Sequence, residues 1–279
     1  MTGRAGDGET RHRGVFFLHI PKTAGSFVAR MFEDRLGPAA CITFQEREVQ
    51  HRVSKGGRLS FLGHDFVSAH SPMATLRLAG VPRHYRIFSV LRDPMDRLVS
   101  HLNWLDRFNH GIDLHSHAAL KQDMKMLVRA LDGLDPDSPA EMRRLFRLDS
   151  LAKARMLFNM QATMLLSARE GDILRYVDVE RLSRAQIRRQ LSRLAFCATL
   201  EQFTTGLAAR GIAPPEDGRI NSAKTGRFRR SPALEEAAER YVAVDRKLHD
   251  MVAQDRPDLS AVTDRLAAGR PDLRLAASA

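Results

Sequence analysis

Cysteine is scarce in this chain: among 279 residues there are two, Cys41 and Cys197, far apart and in apolar settings (AACITF and LAFCATL). That excludes a disulfide framework, and no metal pair can be read from them. Both look like small buried hydrophobes, which fits a reducing compartment. No run of about 18 apolar residues occurs, so no segment reads as a membrane span. The first fourteen residues (MTGRAGDGETRHRG) are polar and glycine-rich without an apolar signal-type segment. A loose tail over 1–14 and a cytoplasmic protein are therefore expected. No internal repeat or low-complexity segment is present. The triphosphate loop G-x-x-x-x-G-K-[ST] is missing, as is an apolar run ending in a magnesium-binding aspartate.

Acidic residues are in short supply as well. Lys and Arg number 44 against 33 Asp and Glu, a formal net charge of +11. Such an excess suits anionic partners such as phosphate, sulfate, acidic glycans, nucleic acid or a membrane surface. An arginine-favouring composition with solvated helix faces, such as SRAQIRRQLSRL (183–194), gives the same number.

Short apolar runs alternate with helical patterns. VFFLHI (15–20), ACITF (40–44), FVSAH (66–70), RIFSVL (86–91) and LAFCATL (194–200) read as strands. Helical spacing follows from Ser26 to Gly37, after Pro94, after Leu200 and over 232–255, while 45–58 reads as loop or short helix. The alternation predicts an α/β, P-loop-like three-layer domain with a central parallel sheet. It spans 15–255, carries a large helical insertion at about 116–192, and leaves 256–279 as a peripheral tail.

Two strand ends carry chemistry. In FLHIPKTAGSF (18–28) a strand turns into a helix through Lys22, Thr23, Ala24, Gly25 and Ser26. A helix start presents free N–H groups and the positive end of its dipole, and so binds anions. Gly25 removes a Cβ where an anion approaches, Thr23 and Ser26 add hydroxyls, and Lys22 adds a mobile charge. An ordinary helix cap beside a surface lysine fits the same residues. SVLRDPMDRLVSHL (89–102) repeats the geometry with Arg92, Arg97 and Ser100, the last two on one helix face. Pairing of an arginine with Asp93 or Asp96 is the plainer reading of that segment. Two anion-grade loops at the ends of one parallel sheet favour a common ligand, because such sheets bind ligands at that edge.

FLHIPKTAGS resembles the 5′-phosphosulfate loop of the sulfotransferases that use 3′-phosphoadenosine 5′-phosphosulfate (PAPS). SVLRDPMDRLVSHL is similar to their 3′-phosphate segment. The HIPKT-G-S form is closest to the carbohydrate branch, which includes the heparan sulfate 2-O- and 6-O-sulfotransferases and bacterial relatives. FNMQATMLL (158–166), FCATLEQFTTGL, INSAKTGRF and YVAVDRKLHDMV are weaker echoes, with His249 standing where tyrosine is expected. The resemblance implies that Lys22, Thr23, Ala24, Gly25 and Ser26 cradle the 5′-phosphosulfate. Arg92 and Ser100 would hold the 3′-phosphate, and Asn221 and Lys224 would lie in a loop over the nucleotide. That loop departs from the better-known Arg-Lys-Gly form.

The resemblance further implies metal-independent in-line transfer of a sulfonyl group to an acceptor hydroxyl, expected on a glycan or glycoconjugate. Lys22 would neutralise the leaving phosphate. His70, closing FVSAH and followed by SPM, would be the base, with His64 in LGHDF as competitor. His110, His115 and His117 read as a solvated loop rather than as metal ligands. Two other classes stay open: an ATP/Mg-dependent kinase on a P-loop-like fold, and a non-catalytic anion- or nucleotide-binding module. Nucleic acid is not the expected partner, and the acceptor and oligomeric state are not legible.

Overall fold

The computed structural model describes residues 14–110 (without 57 and 62), 122–151, 157–167, 181–212 and 226–267. Five apolar runs pair as strands: β1 (Val15–Leu18), β2 (Cys41–Ile42), β3 (Phe66–Ala69), β4 (Arg86–Leu91) and β5 (Phe196–Thr199). They form one sheet of order β2-β3-β1-β4-β5, and every neighbouring pair is parallel. Val15 stands opposite both Phe66 and Arg86, so β1 is flanked on both sides. The Ser89 hydroxyl adds a bond of 2.8 Å to the Leu18 carbonyl across that centre.

Side chains of a strand alternate between the two faces of its sheet, and both faces are covered here. Val15, Phe17, Phe66, Phe88, Val90, Phe196 and Ala198 belong to one apolar cluster. It is closed by α1 (Gly25–Leu36), α9 (Leu200–Ala208) and α11 (Ser260–Ala267) through Phe32, Phe203 and Val262. Phe16, Leu18, Val67, Ala69 and Leu91 face a second cluster. There α2 (Glu46–Lys55), α3 (Met73–Ala79), α7 (Met160–Leu166), α8 (Arg184–Leu191) and α10 (Pro232–Gln254) contribute Val49, Leu76, Leu165, Ile187 and Leu248. The architecture is the expected three-layer α/β fold.

A third cluster joins α4 (Pro94–Asp106), α5 (Gln122–Leu131), α6 (Pro139–Leu151) and the first half of α10, around Leu102, Leu127, Phe146 and Tyr241. The stretch expected to be a helical insertion is helical at α5 to α8. Residues 45–58, left between loop and helix, hold α2, whose Glu46 and Glu48 suit the positive end of its dipole.

The expected peripheral segment differs. Residues 260–267 form α11, and Leu259, Val262 and Leu266 are buried against β1 and α1. Arg265 pairs there with the buried Asp65. Three apolar side chains at helical spacing need a partner, and the face of β1 supplies one. Residues 1–13 and 268–279 lie outside the described residues. No helix among the described residues is long and apolar enough to cross a membrane.

Candidate functional site

All strands run the same way, so the loops after them meet along one edge of the sheet. β2 and β3 lie to one side of β1 and β4 and β5 to the other, so the order of strands reverses beside β1. The crevice at such a reversal is where parallel sheets bind ligands. The loops carrying Lys22, His70 and Arg92 all open there.

The loop after β1 is tightly folded. The Thr23 side chain is fully buried, and its hydroxyl donates to the Ile20 carbonyl at 2.9 Å. Lys22 and Ala24 take left-handed backbone angles, φ 71° and 67°. For non-glycine residues this conformation costs of order 1–3 kcal/mol each and persists only where the surroundings enforce it. Ala24 caps α1 without a side-chain bond, and the first turn holds no acid. The N–H groups of that turn are therefore left for something else. Gly25 has a reason that spacing does not disclose: a Cβ there would lie 1.6 Å from Nε2 of His19. The imidazole of His19 occupies the space and locks the loop to the strand end.

Around this loop positive charge accumulates. Burial, then the neighbouring Arg107, Arg92 and Arg97, lower the pKa of Lys22 to about 8. Its ammonium lies 5.8 Å from the centre of the Trp104 ring. Among the described residues no carboxylate pairs with it.

Arg92 is held by its backbone. The Gln161 side chain accepts from the Arg92 N–H and donates to its carbonyl, both at 2.9 Å. Gln161 is in turn fixed by Asp245, which accepts from the N–H groups of Gln161 (3.3 Å) and Ala162 (2.7 Å). Asn159 accepts from the N–H groups of Val244 and Asp245 at 2.9 and 3.0 Å. Burial raises the Asp245 pKa to about 6 against the opposing pull of Arg97. The Asn-x-Gln and Asp-x-x-Leu segments, far apart in sequence, thus form one buried scaffold under Arg92.

Arg97 departs from both readings of its segment. It is fully buried and pairs with neither Asp93 nor Asp96; Nη2 donates to the Leu157 carbonyl at 3.1 Å, and Nη1 lies 3.3 Å from Nδ1 of His101. It is part of the scaffold under α4 rather than a surface ligand. Ser100 remains partly exposed on α4, one turn beyond Asp96. Asp93 caps that helix by accepting from Met95 and Asp96 N–H. A cleft of about 660 Å³ opens beside the loop; Ala24, Phe27, Arg92, Thr199, Thr204 and His249 line it, and so do the carboxylates of Asp93, Asp96 and Glu201.

Across the loop from that cleft stands His70. Its Nδ1 lies 2.9 Å from Oε1 of Glu46, and the same oxygen accepts from the His70 backbone N–H at 2.7 Å. A carboxylate only accepts, so Nδ1 carries the proton and Nε2 is left as the acceptor. Burial alone would raise the Glu46 pKa; the bonds from His70 outweigh it and hold the group below its ordinary value. The His19 ring packs on that of His70 with centroids 4.1 Å apart. Burial first, then the charges of His70 and Lys22, keep His19 well below an ordinary histidine pKa. His19 is thus a neutral spacer between lysine loop and candidate base.

His64, the competitor, sits before β3, at the opposite edge of the sheet. Its carbonyl accepts from the Tyr85 hydroxyl at 2.7 Å. Five residues of nearly extended chain lie between it and His70, a span of roughly 20 Å, so the two cannot serve one site.

Asn221, Lys224, His115 and His117 lie outside the described residues. The segment just after the first two is anchored on α4: Asn103 exchanges two bonds of 2.9 Å with the Phe228 backbone, and Arg227 reaches Asp106 at 2.8 Å. His110 pairs with Asp106 at 3.4 Å. No group of three His, Cys, Asp or Glu among the described residues could hold a metal ion.

Glu46, His19 and the carboxamide of Gln161 contact the candidate site residues and were not assigned by sequence reasoning. Glu46 meets His70 across 24 positions with no local signal, whereas His19 and Gln161 stood inside quoted segments without a role.

Residues 9–131 match the model of the sulfotransferase family, a stretch a little under half of the chain that contains both loops, Glu46 and His70. The match supports placing the chain among sulfotransferases. No curated protein and no solved structure matches it.

Proposed function

We propose that this chain transfers a sulfonyl group from PAPS to an acceptor hydroxyl of a carbohydrate. The observation that carries the reading is the cluster of Lys22, Arg92 and Arg107 around an uncapped helix start, with no carboxylate on the lysine among the described residues. A site that gathers cations and leaves its buried lysine without a carboxylate suits a polyanion.

The residues fit such a donor. Lys22 and the N–H groups at the start of α1 would hold its 5′-phosphosulfate, with Thr23 shaping the loop from below and Ser26 adding a hydroxyl. Arg92 and Ser100 would hold the 3′-phosphate at the cleft, and Asn221 and Lys224 are proposed to cover the nucleotide. The donor supplies an activated sulfonyl group. The acceptor oxygen forms a bond to sulfur as the bond from sulfur to the phosphate oxygen breaks. Nε2 of His70 takes the hydroxyl proton, while Glu46 holds the ring with Nδ1 protonated and stabilises the imidazolium. Lys22 neutralises the charge that grows on the leaving phosphate. Positioning and fixed positive charge are the means of catalysis, as in phosphoryl transfer. The reading places the reaction in the cytoplasm, consistent with Cys41 and Cys197 being free thiols. It expects full activity in the presence of a chelator.

Thermal unfolding with 3′-phosphoadenosine 5′-phosphate, beside AMP and ATP with magnesium, tests it. Ligand at 100 times its dissociation constant adds about 2.7 kcal/mol. Stabilisation by the bisphosphate above that by AMP is expected. A shift with ATP and magnesium alone would indicate the kinase, and no shift with any of the three would overturn the donor assignment.

A further inference from the structure

Phe44 is an unusual residue in an unusual place. It lies in the corner between β2 and α2 and is 55% exposed, the largest exposure of a big apolar residue among the described residues. Its backbone is left-handed, φ 57°, a conformation that a bulky residue adopts only at a cost. Glycine or asparagine would relieve the strain, and a polar residue would relieve the exposure. The ring is not adrift on the surface. Its centroid lies 5.5 Å from that of His70 and 6.1 Å from that of His19. Two residues later the same corner supplies Glu46, whose carboxylate fixes His70.

We infer that Phe44 is an acceptor platform: a sugar ring lies against its exposed face and presents a hydroxyl at the ring's edge to Nε2 of His70. This rests on the sulfotransferase reading of the site. A pyranose has an apolar face of C–H groups and hydroxyls around its rim, so it needs one flat aromatic surface and polar surroundings. A phenolic, steroid or alkyl acceptor is apolar on all sides and needs an enclosed apolar pocket. The other exposed large apolar side chains among the described residues, Leu78 and Met126, lie on α3 and α5 and make no ring contact with His70. Phe44 is a single open ring flanked by the partly exposed Gln45 and the exposed Arg47. The platform and the base share one corner, so the strain at Phe44 sets the ring relative to the imidazole.

The test is sulfonyl transfer from labelled PAPS to a panel of heparosan, chondroitin and dextran beside phenol, cholesterol and n-octanol. It is run on wild type, Phe44→Ala, Phe44→Trp and Phe44→Gly. At least one polysaccharide is expected to be sulfated. For it, Phe44→Ala raises KM about tenfold with kcat changed less than threefold, and Phe44→Trp returns KM to within threefold. Phe44→Gly removes ring and strain together, so KM rises while the unfolding midpoint also rises. In all variants the midpoint shift given by 3′-phosphoadenosine 5′-phosphate is unchanged. A polysaccharide KM within twofold of wild type in Phe44→Ala, or transfer only to phenol, cholesterol or octanol, or to nothing on the panel, overturns the platform. If the bisphosphate fails to stabilise the wild type, the sulfotransferase reading itself falls, and the platform with it.

Discussion

At the scale of single residues, the site depends on charge states that its surroundings set. Lys22 has a pKa near 8 in the free protein, so its ammonium is mostly present at pH 7 and mostly lost at pH 9. If that charge grips the phosphosulfate, calorimetry should find binding of 3′-phosphoadenosine 5′-phosphate about tenfold weaker at pH 9 than at pH 7. Lys22→Arg, charged throughout, should bind with no such slope. Glu46 is a positioning residue, and Glu46→Gln keeps an acceptor oxygen for Nδ1–H but removes the negative charge that stabilises the imidazolium. We expect kcat to fall by roughly tenfold to a hundredfold, with KM for PAPS unchanged and the acid limb of the pH–rate profile displaced. A purely structural role for Glu46 would lower stability and leave that limb in place.

Secondary-structure elements matter here chiefly for what they hold rigid. The backbone of Arg92 leaves β4 and is gripped by a carboxamide on α7, itself gripped by Asp245 on α10. Gln161→Leu strands a half-buried N–H and a half-buried carbonyl, which costs about 1–3 kcal/mol. Urea unfolding should show that loss, and affinity for the bisphosphate should drop by about tenfold as Arg92 loses its fixed direction. Asp245→Ala should be harsher, about 3–5 kcal/mol, because it withdraws a carboxylate from the charge of the fully buried Arg97. These elements were legible one at a time. RIFSVL announced β4 by its apolar run, and PALEEAAERYVAVDRKLHDMVAQ announced α10 by its periodicity. Their joint was not, since 84 positions separate Gln161 from Asp245 and pairing at that range leaves no local pattern. Glu46 was hidden in the same way. Arg97 misled because a charged side chain in a first helical turn reads as surface, whereas tertiary packing around His101 and Leu157 took it inside.

For the whole molecule, the two sides of the sheet share the work of holding one edge in place. A chain shortened to end at Pro257 should lose the burial of Leu259, Val262 and Leu266, roughly 5–9 kcal/mol at about 1.5–3 kcal/mol each. Scanning calorimetry should then show the midpoint lowered by about 10 °C or more, although none of those side chains faces the candidate site. The position of β1 has a consequence for synthesis. It is the earliest described strand, yet it is the middle of the sheet, and β3, β4 and then α11 must be made before its two edges and its outer face are covered. On the ribosome its four apolar residues wait until β4 ends at Leu91 for their second edge, and until α11 begins at Ser260 for the last part of their outer face. The nascent β1 is therefore the segment that a chaperone would find exposed until α11 is made.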